Sequence, residues 1–392
     1  MRNFPILFVM AAAIASPAWA AKRVKSVTVF ELTQLLSQSR GESDRRVARE
    51  LSTLRLTQRI SSARLMQWYK DFPGRQTQLA LTELADASAF LNLPASEVSN
   101  RAAPDRDVQQ LILHDSIVYV NRTTQQLPNF SALRTTLYFE DALALWAENQ
   151  PSCNPLDYDS ECMFRARAAV SSSLSKVPLR FTHKSSFSVT YRNGREIMSP
   201  GSPKTVSLHH RSTGLVTSGE FGPILGVVLG DALQGEITWG YWEQVSSGLL
   251  AVFRYTVPKT ASHYVVGSAT SGGLDIANPS YHGEIAVDPV TGAIHRITMV
   301  SDVPTANQGV NAAIMVLYGP VLIGGKSYIC PIKAAAISNV PVFSSHIAPP
   351  GSPPLRQTML NDITFTQFHI FRGQVSILPE ETLAALAPAP AR

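Results

Sequence analysis

Apolar and polar positions alternate with a period of two in short runs between residues 236 and 372. The runs are rich in β-branched and aromatic residues, and Gly, Pro and Asn separate them. Because successive side chains of a strand point to opposite faces, this pattern predicts an antiparallel sheet. The predicted strands are 236–243, 249–257, 263–267, 281–288, 294–300, 314–323, 326–339 and 363–372.

The alternation also occurs earlier in the chain, in two shorter segments. Residues 129–139 change from helical spacing to a period of two and predict the first strand. Residues 179–199 predict a hairpin, because Asn193-Gly194 supplies two residues that accept the positive φ of a tight turn. Residues 219–232 carry apolar side chains at helical spacing, which predicts a short helix across the sheet.

Before residue 104 the apolar positions follow a helical period instead. Thr28 and Glu31 predict a capping box at the start of the first helix, and Pro73-Gly74 separates two later helices. The fold class expected from these patterns is α+β. An N-terminal helical subdomain precedes a curved antiparallel β-sheet, a half-barrel, with a covering helix.

The first residues have the three parts of a secretory signal peptide. A basic end at Arg2 precedes a short apolar run, and Ala18-Trp19-Ala20 supplies a cleavage site. The run is shorter than the roughly 20 apolar residues that a membrane span needs. We therefore expect an exported protein, periplasmic or extracellular, without a transmembrane span after cleavage.

These patterns divide the chain into four parts. Residues 1–20 are the signal peptide and 21–103 the helical subdomain. Residues 104–376 are the antiparallel half-barrel domain, with a loop insertion at 141–178. Residues 377–392 are an Ala/Pro-rich tail that we expect to be flexible.

Composition and cysteine spacing refine this picture. Hydrophobic residues make up 45% of the chain, which is enough for a substantial core. The net charge is +5, but the basic residues are interleaved with acidic ones rather than clustered, which argues against a nucleic-acid partner. Cys153 and Cys162 lie close together in an exported chain and predict a disulfide. Cys330 lies inside an apolar strand and is expected to be a buried thiol.

The sequence contains none of the common catalytic or phosphate-binding motifs, so it predicts no catalytic residues, no cofactor and no metal. His209 and His210 are adjacent, and in a strand their rings would point to opposite faces. A distant match to an acyl-enzyme motif, Ser173 to Lys176, lacks a second motif at the required distance.

Six residues of two neighbouring predicted strands form the candidate site. The first strand contributes Ile237, Trp239 and Tyr241 on one face, and the second contributes Phe253, Tyr255 and Val257 on one face. Such an apolar face has to be covered by other parts of the protein or by a ligand. Core packing and the lining of a cavity for an apolar ligand are both open at this point.

The second half of the chain resembles a known family. Residues 281–297 contain a G-x-I-x-x-D-x-x-T-G-x-x-x-R-I hairpin that resembles one in LolA-like periplasmic lipoprotein carriers. Residues 318–331 and 365–371 resemble the closing strands of that family, and the resemblance covers roughly residues 105–376. The chain also resembles a group of exported bacterial proteins in short stretches such as Leu127–Phe130 and Ser262–Tyr264, which imply no activity.

The LolA-like resemblance implies a half-barrel whose concave apolar side holds acyl chains. The expected function is therefore a non-enzymatic exported protein that binds a lipid or other hydrophobic ligand. The first alternative is a structural or regulatory envelope protein whose helical region binds a protein partner. The second alternative is a hydrolase without a recognisable motif.

Overall fold

The computed structural model describes residues 24–141, 178–193, 195–198, 223–245, 248–270, 273–302, 311–342 and 355–370. The fold is α+β, as expected from the sequence. The six described α-helices are α1 (Val29–Gln38), α2 (Asp44–Leu51), α3 (Ser62–Asp71), α4 (Arg75–Ala87), α5 (Arg106–Gln126) and α6 (Pro223–Ala232). The fourteen described strands are β1 (Lys25–Val27), β2 (Leu54–Leu56), β3 (Phe130–Asp141), β4 (Leu179–Arg192), β5 (Arg195–Met198), β6 (Glu236–Val245), β7 (Gly248–Val257), β8 (Val266–Thr270), β9 (Gly273–Ala277), β10 (Tyr281–Val287), β11 (Ile294–Ser301), β12 (Asn311–Ile323), β13 (Lys326–Val342) and β14 (Leu355–Ile370).

Ten of these strands form one antiparallel sheet in the order β5-β4-β3-β14-β13-β12-β11-β10-β7-β6. The sheet is open, with β5 and β6 at its two edges. Most neighbouring strands of the sheet are consecutive in the chain, and β14 pairs with β3 in the middle of the sheet. The predicted hairpin of β4 and β5 is present, and Asn193 has the positive φ that its turn requires.

One face of the sheet carries the main hydrophobic core. Alternate residues along the strands point to this face, and helices α5 and α6 pack on it through side chains such as Ile112 and Val228. The core runs from Tyr191 on β4 to Phe253 on β7 without a break. The predicted covering helix is therefore present as α6, and α5 covers the same face.

The opposite face packs against the N-terminal subdomain. Ala89 of the subdomain contacts Met315 and Ala335 of the sheet in a small apolar cluster. The segment between α4 and α5 is hydrogen-bonded to the edge strand β6. The Ser99 N–H donates to the Trp242 carbonyl, and Trp242 Nε1 donates to the Ala102 carbonyl. The sheet is thus the middle of three layers.

The N-terminal subdomain has its own hydrophobic core, formed by side chains such as Leu32, Leu36 and Leu81. The predicted capping box is confirmed, since the Thr28 side chain accepts from the Glu31 N–H and the Glu31 carboxylate accepts from the Thr28 N–H. The subdomain is not wholly helical, because β1 and β2 form a two-stranded parallel sheet.

One predicted strand of the large sheet is wrong. Of the expected strand 263–267, residues 263–265 form an irregular segment after a short 3-10 helix (Lys259–Ala261), and β8 begins only at Val266 and pairs with β9 in a separate sheet. Asp231 accepts a hydrogen bond from the His263 N–H at 2.8 Å, which fixes this segment against the end of α6. Cys330 is confirmed as a buried free thiol.

The predicted signal peptide 1–20, nearly all of the insertion 141–178 and the tail 377–392 lie outside the described residues. The predicted bridge between Cys153 and Cys162 also lies outside them. In the described part of the chain no helix combines the length and hydropathy that a bilayer crossing requires.

Candidate functional site

The structure brings five of the six predicted site residues together. Phe253, Tyr255 and Val257 are each only 1% exposed and belong to the main core. Trp239 packs edge-on against Phe253, with ring centroids 5.4 Å apart, and Ile237 lies near it on β6. Ile237 and Trp239 are only partly buried, because β6 is an edge strand.

Tyr241 is the exception, and its predicted face is wrong. The pairing of β6 with β7 shifts between Trp239, which faces Phe253, and Tyr241, which faces Val252. The extra residue is Gly240, whose backbone lies so close to the Val252 carbonyl that an added Cβ would be 2.8 Å from its oxygen. This β-bulge turns Tyr241 to the opposite face of the sheet.

On that face Tyr241 belongs to a buried ionic network. The Arg59 guanidinium donates to the Tyr241 hydroxyl at 3.1 Å, and the hydroxyl donates to Glu284 at 2.9 Å. Glu243 accepts from Arg59 at 3.1 Å and from Arg296 at 2.7 Å. Burial raises the pKa of Tyr241 to about 12, so the hydroxyl stays protonated and is not a base at neutral pH.

This network attaches the N-terminal subdomain to the sheet. Burial alone would raise the pKa of Glu243, but the guanidinium groups of Arg296 and Arg59 outweigh burial and lower it. The carboxylate is therefore charged and paired, and Arg59 is the one member that comes from the subdomain. The arrangement satisfies buried charges, which is a structural role.

A second buried cluster joins α4 to the sheet nearby. The Lys333 ammonium lies 3.0 Å from Asp86 and 2.6 Å from Asp362. Glu83 is buried on the same helix, and burial, followed by the charge of Asp86, raises the pKa of Glu83 to about 8. Burial also raises the pKa of Asp86, although Lys333 opposes the shift. The cluster thus buries more carboxyl groups than ammonium groups between α4 and the sheet.

Asp231 and His263 form the arrangement that comes nearest to acid–base chemistry. The ring nitrogen Nδ1 of His263 lies 2.6 Å from Asp231, and Tyr281 donates its hydroxyl to the same carboxylate at 2.8 Å. Among the described residues no Ser, Thr or Cys side chain hydrogen-bonds to His263, so the pair has no nucleophile there. The Asp231 carboxylate also accepts from the backbone N–H of His263, so it holds the segment after β7 against α6.

The described residues also contain no group of three His, Cys, Asp or Glu side chains that could hold a metal ion.

The N-terminal subdomain contains a cleft that sequence reasoning did not identify. It lies between α1 and α3, has a volume of about 450 Å³ and ends at Gln244 of the sheet. Leu36 and Trp68, both buried, form apolar parts of its lining. Two arginine–carboxylate pairs cross it, since Arg64 Nε donates to Glu97 at 2.6 Å and Arg40 bonds to Asp71 at 3.2 Å.

The two helices that form this cleft, which we call the α1–α3 cleft, also expose large apolar side chains. Phe30 is 67% exposed and lies one helical turn before Thr33, which lines the cleft. Because residues three apart on a helix are neighbours, Phe30 stands at the rim of the cleft. Met66 is 55% exposed on α3, but its side chain points roughly 130° away from the helix face that lines the cleft, so Met66 does not belong to the rim.

A sequence signal for this site does exist at Phe30. The buried positions of α1 are Val29, Leu32 and Leu36, so a large aromatic side chain at position 30 lies off the apolar stripe. The cleft itself could not be found this way, because its shape depends on how α1 and α3 pack.

No protein-family model, curated protein or solved structure matches this chain. The LolA-like resemblance of residues 105–376 therefore stays a prediction, and the functional assignment depends on the geometry of the site.

Proposed function

We propose that this chain is a non-enzymatic binding protein whose α1–α3 cleft receives a segment of a partner protein. The sheet then serves as a rigid support for the N-terminal subdomain. This is the protein-partner function that the sequence left open as an alternative to lipid binding.

The supporting observation is the combination of an open cleft with an exposed aromatic side chain at its rim. The partly buried Phe72 gives the cleft apolar surface, and Phe30 extends that surface outwards. Peptide segments are commonly bound in grooves of this kind, where apolar anchors enter and polar groups at the ends fix their direction. The arginine–carboxylate pairs of the cleft supply such polar groups.

The contrast with the sheet also favours the cleft. Phe253, Tyr255 and Val257 have their surface covered by the core and by helices of the same chain, so little of it is left for a ligand. A lipid would have to displace packed side chains, whereas a peptide would enter space that is already open.

The proposal is tested by selecting binders from a random peptide library displayed on phage against the protein that comprises residues 21–392. The peptides are then measured against the variant Phe30→Ser. A matched control is Leu322→Ser, since the Leu322 side chain is 70% exposed and does not line the cleft. Both substitutions replace exposed side chains, so stability should change little.

We expect selected peptides to bind the Phe30→Ser variant about three- to tenfold more weakly, a loss of about 0.6–1.4 kcal/mol. The control variant should bind them as the unchanged protein does. Equal binding to all three proteins, or selection of no peptide, would contradict the proposal.

A hydrophobic-ligand carrier is the second candidate, and Ile237 and Trp239 favour it. These side chains are partly exposed at the edge of the sheet, next to the core. Native mass spectrometry of the protein from its own source, with organic extraction, tests this function. A stoichiometric lipid that Trp239→Ala releases would support it, and a mass of the protein alone would oppose it.

A further inference from the structure

The α1–α3 cleft continues into a second cleft. The second has a volume of about 540 Å³ and lies towards α2 and the start of α4. The two share one wall, because Arg40, Asp71 and Phe72 line both. The pair of clefts is therefore one groove divided by the Arg40–Asp71 ion pair.

Arg40 and Asp71 differ in how far their side chains are buried and in how many partners hold them. The Arg40 side chain is 68% exposed and reaches Asp71 at 3.2 Å. The Asp71 side chain is only 26% exposed, and Gln67 donates to its other oxygen at 3.0 Å. Exposed ion pairs contribute little net binding, so Arg40 can leave while Asp71 stays in place.

The charges of the second cleft show what can replace Arg40. Glu42, Asp44 and Asp71 line it, and Arg40 is the one basic residue among its lining residues. Asp44 accepts from the backbone N–H groups at the start of α4, and Glu42 pairs with Arg46. Asp71 is the one carboxylate among the described lining residues that borders both clefts, so a segment that runs through both would contact it, and its new partner has to be a cation.

On the basis of the proposed function, we infer that the partner segment runs through both clefts and carries a basic side chain that replaces Arg40 on Asp71. An apolar residue of the same segment occupies the α1–α3 cleft beside the partly buried Phe72. Arg40 is an internal substitute for the partner's cation when the groove is empty, and it weakens binding by competing for the same carboxylate.

The test uses three capped synthetic heptapeptides of the sequence Leu-Leu-Ser-Xaa-Ser-Leu-Leu, with Arg, Gln or Glu as Xaa, measured by fluorescence anisotropy. The variants are Arg40→Gln and Asp71→Asn. Arg49→Gln is the control, since Arg49 is exposed on α2 and lines neither cleft. It removes the same charge from the same subdomain without freeing a carboxylate of the groove.

We expect Arg40→Gln to tighten binding of the Arg peptide about two- to fivefold, in keeping with the small net value of an exposed ion pair. Arg49→Gln should tighten it less than Arg40→Gln does, and Asp71→Asn should abolish the preference for the Arg peptide over the Gln peptide. Equal effects of Arg40→Gln and Arg49→Gln would overturn the inference.

The outcomes separate this inference from the function on which it rests. If the Gln peptide binds as well as the Arg peptide to the protein and to Arg40→Gln, the cleft binds peptides but Arg40 is no substitute for a cation. If none of the three peptides binds any form of the protein, the peptide-binding function and the inference both fail.

Discussion

The sheet and the N-terminal subdomain use similar aromatic and aliphatic side chains in opposite ways. On the core face of the sheet, Phe253 and Tyr255 are buried by neighbouring strands and by α5 and α6. In the subdomain, Phe30 remains exposed beside an open cleft. In the sheet the alternating apolar residues therefore form the core, whereas the exposed aromatic residue of α1 belongs to the candidate binding surface.

The largest change in the free energy of unfolding is expected for Phe253 in the core of the sheet. Phe253→Ala removes a fully buried aromatic ring, and such truncations cost about 3–5 kcal/mol. We expect that loss in the free energy of unfolding, measured by chemical denaturation, with peptide affinity unchanged below the transition. A Phe253→Ala protein of normal stability would show that this ring is not packed as described.

The ionic network that joins the two regions should give the next largest effect. Glu243→Gln leaves the Arg59 and Arg296 guanidinium groups without their shared carboxylate. Removing one partner of a buried charge network costs about 3 kcal/mol or more. Denaturant titration checks this loss, and Glu50→Gln, a change at an exposed position, serves as the control. A loss below about 1 kcal/mol would mean that the network is solvated.

The pH dependence of stability should come partly from Glu83. Its pKa is raised from 4.5 to about 8 in the folded protein, so its contribution to stability is fully present below pH 4.5 and is lost as the pH rises through 8. Glu83→Gln should therefore gain stability over the unchanged protein between pH 5 and 8, by roughly 1 kcal/mol per pH unit. Denaturation at both pH values measures this gain, and a difference that does not vary with pH would contradict it.

The smallest effect on stability is expected at Phe30. Because this side chain is mostly exposed, Phe30→Ser should change the free energy of unfolding by less than about 0.5 kcal/mol. Its effect on peptide affinity should be several-fold, which reverses the behaviour expected of Phe253→Ala. If Phe30→Ser instead destabilised the protein by more than about 2 kcal/mol, Phe30 would belong to the core.

Local patterns predicted much of this fold because strand alternation is a local property. The predicted strands 249–257 and 281–288 differ from β7 and β10 by one residue at one end. The buried thiol of Cys330 followed from the same pattern. In contrast, β1 and β2 have three residues each, too few to show a period, and they depend on contacts between distant parts of the chain.

The candidate site was less predictable, for a related reason. The bulge at Gly240 that turns Tyr241 away from Trp239 arises in the pairing of β6 with β7, and an alternating pattern assumes regular pairing. The α1–α3 cleft forms between helices whose packing angle the sequence does not give. Of the cleft, only Phe30 has a signal in the sequence, because it is a large apolar residue that lies off the apolar stripe of α1.

Hydrogen–deuterium exchange of the full protein, with and without a peptide selected on it, tests the central comparison most directly. We expect the peptide to slow exchange in α1 and α3, over residues 29–38 and 62–71, and to leave exchange in β6 and β7 unchanged. Slowed exchange over residues 236–257 with no change in α1 and α3 would contradict this expectation and place the binding site on the sheet.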